Sequence, residues 1–180
     1  VHEISRVDGV KFFMPDDAWL LFRTSGTEPL VRVYAEASSA GVVDDLLVYM
    51  RGADDFFLCI NAGNIDKDLA WIHAQAAAFD VKVTDRSADY ALLAVQGPSA
   101  AAIVQSLTGA KLDLVKYYHF TEATVAGVHC IASRTGYTGE DGFELYLDPN
   151  ASEQIWNKLL EAGKPVGIQP CGLAARNTLR

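Results

Sequence analysis

The chain has 180 residues and a net charge of −8, and half of its residues are hydrophobic. This length allows one large or two small domains, and the apolar fraction is enough for a real core. The negative charge argues against general nucleic-acid binding, and no apolar run is long enough to span a membrane. Since the start shows no signal-peptide pattern, we expect a cytoplasmic protein.

Three cysteines and four histidines are the candidate metal ligands of the chain. The cysteines (Cys59, Cys130 and Cys171) are widely spaced and odd in number, a pattern typical of reduced, buried thiols. The histidines are scattered without metal-ligand spacing. The sequence therefore predicts neither a disulfide framework nor a metal site.

Short apolar runs and turns dominate the first sixty residues. They predict strands over residues 9–14, 18–23, 30–36, 42–50 and 55–60, and the first three read as an antiparallel meander. Residues 64–79 predict an amphipathic helix, because apolar side chains from Ile65 to Phe79 recur at steps of three and four.

Strands and helices also mix in the rest of the chain. Strands are predicted near residues 81–84, 90–96, 117–126, 129–134, 143–147 and 165–169. Helices are predicted from Gly97 to before Gly109, from Pro149 to a stop at Gly163, and from Cys171 onward. Strict β-α-β alternation is missing, so the pattern indicates an α+β fold.

The run Arg134-Thr-Gly-Tyr-Thr-Gly-Glu-Asp-Gly-Phe-Glu-Leu-Tyr is the most informative stretch. Its three glycines let a ligand approach the backbone closely. The acidic residues would repel a phosphate, so the run suits a flat, polar, neutral heterocycle.

Cys171 lies outside this run, at the predicted start of the last helix. No histidine is paired with it in sequence, so we do not expect it to act as a nucleophile.

This run resembles the signature segment of the glycine-cleavage T protein, an aminomethyltransferase that binds tetrahydrofolate. Further motifs follow the same order: Gly41-Val-Val-Asp-Asp-Leu-Leu-Val, Asn61-Ala-Gly-Asn, Lys67-Asp-Leu-Ala-Trp, Leu93-Ala-Val-Gln-Gly-Pro and Cys171-Gly-Leu-Ala-Ala-Arg. The resemblance covers about residues 40–180. It implies a partial T-protein-like folate-binding fold without the C-terminal barrel domain.

Residues 1–39 resemble a different family, the last domain of phosphoglucomutases and phosphomannomutases. The loop Arg23-Thr-Ser-Gly-Thr-Glu-Pro would grip a sugar phosphate through Arg23, Ser25 and Thr27. The further mutase domains are missing, so we expect a join of two fragments near residues 37–40. A mis-assembled gene, a fused reading frame and a deliberate chimera would each explain it.

The T-protein resemblance implies five site residues. Asp45 matches the aspartate needed for turnover near folate N10, although strand alternation alone leaves open whether Asp44 or Asp45 faces the pocket. Asn61 would contact the folate. Without the resemblance, these residues read as edge-strand acids and a turn residue.

The other three lie in the second half of the chain. Tyr137 would line the pocket and stack on the folate, Glu144 would pair with the aminopyrimidine edge, and Arg176 would reach the glutamyl tail. Their alternatives are surface packing, a solvent-facing strand residue and an exposed helix arginine. The family has aspartate at the position of Asn177, so this chain lacks one negative charge next to Arg176.

Three classes of function follow. The first is an aminomethyltransferase acting with tetrahydrofolate and a lipoyl-bearing H protein, with impaired turnover in a truncated chain. The second is a folate-binding relative without transferase activity. The third is a phosphohexomutase remnant. Apolar surface left by a missing domain would favour a homodimer.

Overall fold

The computed structural model of the chain describes residues 3–5, 10–13, 19–24, 31–36 and 46–179. The chain divides into two compact units, Val1–Asp85 and Arg86–Arg180. The sequence predicts a different division, into residues 1–39 and 40–180. That boundary separates the two family resemblances and not two compact units, and it stays a prediction.

The first unit opens with a four-stranded sheet in which each strand pairs with the next one along the chain. Its strands are β1 (Glu3–Ser5), β2 (Val10–Phe13), β3 (Trp19–Thr24) and β4 (Val31–Glu36). All the pairings are antiparallel. The predicted meander is therefore present, with β1 as an additional strand at its edge.

A hairpin and a helix complete the first unit. Strands β5 (Leu47–Gly52) and β6 (Asp55–Cys59) pair antiparallel, and helix α1 (Ile65–Ala76) follows them. A small core joins the hairpin to the helix: Leu46, Val48, Ile60, Trp71 and Ile72. The predicted helix is three residues too long, because Phe79 is 69% exposed and contributes nothing to the buried face.

A second four-stranded antiparallel sheet forms the centre of the second unit. Its strands are β7 (Ala91–Gln96), β8 (Phe120–Val125), β9 (Val128–Ser133) and β10 (Gly142–Leu147). Their order in the sheet is β7-β10-β9-β8. Strand β10 lies inside the sheet and is buried at all six positions, so the side chains on both of its faces are shielded from water.

Three helices accompany this sheet: α2 (Ala100–Ser106), α3 (Ser152–Gly163) and α4 (Leu173–Leu179). The core contains Phe143, Leu145 and Leu147, which alternate along β10 and therefore share one face. Ile103 and Val104 on α2 and Ile155 and Leu159 on α3 belong to the same core. Mixed helices and strands with antiparallel sheets confirm the predicted α+β class.

Two predicted strands are wrong. Residues 81–84 have no regular structure, and Val81 is 62% exposed, so this apolar run has no sheet to join. Residues 164–166 form a 3-10 turn that ends at Gly167, whose φ of 77° is left-handed. Within the part of the chain that the structure describes, no helix has the length and apolarity to cross a membrane.

Gly163 has a packing role rather than the role of a left-handed helix cap. Its φ is −84°, and a Cβ added there would lie 2.7 Å from Cβ of Ile168. We expect Gly163→Ala to cost about 1–3 kcal/mol of unfolding free energy, because the clash forces α3 away from Ile168. Gly109→Ala, where an added Cβ meets nothing within 4 Å, is the matched control. Equal thermal stability of the two variants would contradict this prediction.

Candidate functional site

An ion pair closes the glycine-rich loop that joins β9 to β10. Nε of Arg134 donates to Oδ1 of Asp141 at 2.8 Å, and Nη2 donates to Oδ2 at 2.6 Å. Nη1 of the same guanidinium donates to the carbonyl oxygen of Val115 at 2.9 Å. The hydrogen bonds from Arg134 lower the pKa of Asp141. This bidentate pair holds the two ends of the loop together.

Gln96 at the end of β7 braces the same loop from the neighbouring strand. Its Nε2 donates to the carbonyl oxygens of Thr135 at 3.0 Å and of Phe143 at 3.4 Å. A Cβ at Gly142 would lie 2.4 Å from the backbone carbonyl oxygen of Val95, so this position requires glycine, whereas a Cβ at Gly136 would displace the Gln96 amide. The loop glycine between them, Gly139, has a φ of 75°, which a residue with a side chain rarely adopts.

We expect Asp141→Asn to lower the unfolding free energy by on the order of 1 kcal/mol, since both partners are partly exposed and solvent screens the pair. The pKa of Asp141 is lowered in the folded chain, so its contribution is present above the unfolded value of 3.8. It is lost as the pH falls through the folded pKa. Thermal unfolding between pH 7 and pH 2 tests this, with the exposed Asp113→Asn as control. A stability difference between Asp141→Asn and wild type that does not shrink as the pH falls below 3.8 would contradict it.

Glu144 is the buried carboxylate of the second unit. It lies on β10 with 7% of its surface exposed, so the interpretation as a solvent-facing strand residue is wrong. Burial raises the pKa of Glu144, and a hydrogen bond from the Thr135 hydroxyl to Oε2 opposes that rise. Thr135 in turn lies 2.9 Å from the hydroxyl of Ser133, the cross-strand neighbour of Glu144. The carboxylate is thus held by a buried polar network.

Tyr137 and Arg176 lie next to each other. The guanidinium carbon of Arg176 on α4 is 5.5 Å from the centroid of the Tyr137 ring, within the range of a cation–π contact. Both residues are half-buried, so Arg176 is not a freely exposed helix arginine. The pair combines an aromatic face with a cationic group.

The remaining predicted site residues belong to the first unit. Asn61 precedes a 3-10 turn, is half-buried, and makes no capping hydrogen bond through its side chain. Arg23 lies on β3, where its backbone pairs with that of Arg32. The other four predicted residues lie outside the described part of the chain: Ser25, Thr27, Asp44 and Asp45.

The three cysteines are free, but only Cys130 is buried. Cys59 is half-buried and Cys171 is exposed, so the predicted burial is wrong for Cys171, which lies before α4 in a segment without regular structure. Desolvation raises the pKa of Cys130 to about 11, which keeps that thiol protonated and unreactive. Over residues 46–179 and the four described strands, no cluster of His, Cys, Asp or Glu could hold a metal ion.

Sequence reasoning missed the residues that support Glu144 and the loop. Thr135 lies inside the singled-out run, and its position two residues after Ser133 was the signal for a shared strand face. Gln96 stands 39 residues before Thr135. A contact over that distance depends on which strands become neighbours in the sheet.

Two protein families match parts of this chain. Residues 34–180 match the GCVT N-terminal domain, and the chain belongs to that family. Residues 2–53 are also similar to the C-terminal domain of phosphoglucomutase/phosphomannomutase. The predicted resemblances are therefore both confirmed, the first over most of the chain.

Curated relatives carry the name aminomethyltransferase. Those from Moorella thermoacetica and Desulfitobacterium hafniense are 55% and 52% identical over 140 and 143 residues, or 78% and 79% of this chain. The relative from Bacillus subtilis is 50% identical over 78% of the chain. The chain spans about two fifths of the length of these relatives, since the matches cover 38% or 39% of them.

Solved structures agree with the predicted T-protein-like fold. Aminomethyltransferase T of the glycine cleavage system from Bartonella henselae is 33% identical, with a TM-score of 0.70 over 83% of this chain and 39% of that chain. A heterotetrameric sarcosine oxidase from Corynebacterium sp. U-96 gives a TM-score of 0.53 at 20% identity, over 73% of this chain and 66% of that one. The second likeness concerns the fold alone.

Proposed function

We propose that the chain carries the folate-binding part of an aminomethyltransferase of the glycine cleavage system. The observation that carries the proposal is the buried carboxylate of Glu144, which belongs to the segment matched by the family model. A buried carboxylate that accepts two N–H groups is a strong and planar device for recognising an aminopyrimidine. An ionised side chain is rarely buried without such a partner, so a ligand that donates hydrogen bonds suits this position.

The pair formed by Tyr137 and Arg176 supports the same ligand. In folate, an aromatic aminobenzoyl group is bonded directly to an anionic glutamyl tail. An aromatic ring and a guanidinium 5.5 Å apart match that succession, because the ring stacks on the aminobenzoyl group and the guanidinium binds the tail carboxylates. We assign Asn61 to a further polar contact with the folate and Asp45 to the neighbourhood of N10, both by family resemblance.

The proposed reaction needs no covalent bond to the protein. A lipoyl arm on the H protein presents an aminomethyl group on sulfur. N5 and N10 of tetrahydrofolate each form a bond to its methylene carbon, while the C–N bond to the amine and the C–S bond to the arm break. The protons of N5 and N10 pass to the amine and the thiolate, so ammonia, 5,10-methylenetetrahydrofolate and the dihydrolipoyl arm are the products. The protein positions the reactants, and the carboxylate of Asp45 would stabilise the cationic aminomethyl group. We place the protein in the cytoplasm, with the H protein as its partner and a homodimer as its expected assembly.

Titration with 5-formyltetrahydrofolate by calorimetry, followed by turnover with aminomethylated H protein, tests the proposal. Binding with ammonia release supports the aminomethyltransferase. Binding without turnover supports the folate-binding relative instead. A folded wild-type chain that binds no reduced folate would overturn both, and light scattering on the same sample measures the oligomeric state.

The similarity of residues 2–53 to a mutase domain favours a second candidate, binding of a sugar phosphate by Arg23, Ser25 and Thr27. A guanidinium and two hydroxyls are suitable groups for a phosphate. Titration with glucose 6-phosphate tests it, with Arg32→Ala as the control for Arg23→Ala. Saturable binding that only Arg23→Ala removes would support this candidate, whereas wild-type protein without binding would exclude it.

A further inference from the structure

The hydroxyl of Thr135 contacts both the Glu144 carboxylate and the Ser133 hydroxyl. Thr135 is 3% exposed and lies in the glycine-rich loop, and Ser133, the last residue of β9, is fully buried. Oγ1 of Thr135 is within hydrogen-bonding reach of Oε2 of Glu144 and lies 2.9 Å from Oγ of Ser133. The T-protein resemblance assigns no role to either hydroxyl.

The direction of these hydrogen bonds follows from the number of protons. An ionised carboxylate only accepts, and a threonine hydroxyl has a single hydrogen to donate. Thr135 therefore donates to Glu144, and Ser133 donates to Thr135. Oε1 of Glu144, the other carboxylate oxygen, receives no hydrogen bond from the residues that the structure describes, so with respect to these residues it can accept from a donor on a ligand.

We propose that Thr135 is a positioning residue that fixes the carboxylate plane of Glu144 through Oε2 and thereby orients both oxygens toward the N–H groups of the bound pterin. This inference rests on the proposed function. A carboxylate without the Thr135 bond would rotate about its last torsion, which is broad for glutamate. It would also protonate more readily, because burial raises the pKa of Glu144 and the hydroxyl of Thr135 is the group that lowers it.

Among the described residues, burial raises the pKa of Glu144, the Thr135 hydroxyl lowers it, and no charged side chain contributes. Strands β7 and β9 and helix α2 pack against β10, and β7 and α2 carry no titratable side chain. Strand β9 carries His129 and Cys130, which lie at positions other than the one paired with Glu144. Arg134 and Asp141 in the adjacent loop are paired with each other. Thr135 is thus the local control on the charge of Glu144.

The test compares Thr135→Val, which keeps the shape and removes the hydroxyl, with Thr135→Ser, which keeps the hydroxyl. NMR titration of the Glu144 carboxyl carbon, on the full chain, reads the charge without any ligand. We expect Thr135→Val to move the Glu144 midpoint to higher pH and Thr135→Ser to return it toward wild type. The exposed Thr124→Val on β8 is the control and should leave the midpoint unchanged.

Calorimetry with 5-formyltetrahydrofolate then reads the effect on binding. We expect about tenfold weaker binding by Thr135→Val at neutral pH and an acid limb of the binding profile shifted to higher pH, with rescue by Thr135→Ser. If Thr135→Val has the same Glu144 midpoint and the same folate affinity as wild type, the inference is overturned while the proposed function stays intact. If Thr135→Val shifts the Glu144 midpoint but the wild-type chain binds no folate, the effect of Thr135 on the charge of Glu144 is upheld and the proposed function is overturned.

Discussion

Glu144→Gln is expected to weaken binding of 5-formyltetrahydrofolate by on the order of 100-fold or more, because hydrogen bonds to a charged group each contribute about 1.5–3 kcal/mol. Glutamine has nearly the shape of glutamate and still offers Thr135 an oxygen. It can no longer accept two N–H groups with one planar, charged group. Calorimetric titration of wild type and variant measures the difference.

The same substitution should leave the fold intact or make it more stable. Burial raises the pKa of Glu144, so the stability associated with its protonation is full below the unfolded pKa of 4.5 and lost as the pH rises through the folded pKa. Glutamine stays neutral and avoids that loss. The melting temperature of Glu144→Gln relative to wild type should therefore increase as the pH rises above 4.5.

Glu153→Gln on α3, which replaces an exposed glutamate, is the control for both measurements. It should change neither affinity nor the pH dependence of melting beyond a few tenths of a kcal/mol. Glu144→Gln with wild-type affinity would remove Glu144 from the folate site. A variant that is unfolded at neutral pH would show that the carboxylate is needed for the fold.

Phe143→Ala, one residue away, is expected to reduce the unfolding free energy by about 3–5 kcal/mol. Phe143 is fully buried in the core of the second unit, and its ring also lies 5.7 Å from the Arg134 guanidinium carbon. Truncation leaves a cavity between the sheet and its helices that the surrounding side chains fill only in part. Urea unfolding followed by circular dichroism gives the change in free energy.

Leu114→Ala is the control for Phe143→Ala, since Leu114 is 69% exposed and its truncation should cost less than about 0.5 kcal/mol. Similar losses for the two variants would mean that the packing around Phe143 is not what stabilises this unit. Adjacent residues of β10 are thus expected to behave in opposite ways, with Phe143 controlling stability and Glu144 controlling ligand binding.

Local periodicity predicted most of the second unit. Alternation and turns placed β9 and β10 within about one residue, and the predicted stop at Gly163 is the last residue of α3. The short apolar run at Val81 shows why the same rule fails elsewhere. A strand needs a neighbouring strand with which to exchange hydrogen bonds, and local sequence carries no information about that neighbour.

The candidate site was less accessible to sequence reasoning. Alternation along residues 143–147 predicts one wet face and one dry face, whereas β10 is buried on both because it lies inside its sheet. The prediction of Glu144 and Tyr137 as site residues rests on family resemblance. The supporting contacts of Thr135, and of Gln96 from 39 residues away, depend on packing that becomes visible only in three dimensions.

The brace that Gln96 provides has a consequence for the order of folding. Because β7 and β10 are neighbours although many residues separate them along the chain, the glycine-rich loop gains its brace only after this non-local pairing has formed. The amide of Gly97, which donates to the carbonyl oxygen of Asp141 at 2.8 Å, is a reporter of that event. Its hydrogen exchange should slow together with that of β10, and later in refolding than exchange within the local β8–β9 hairpin.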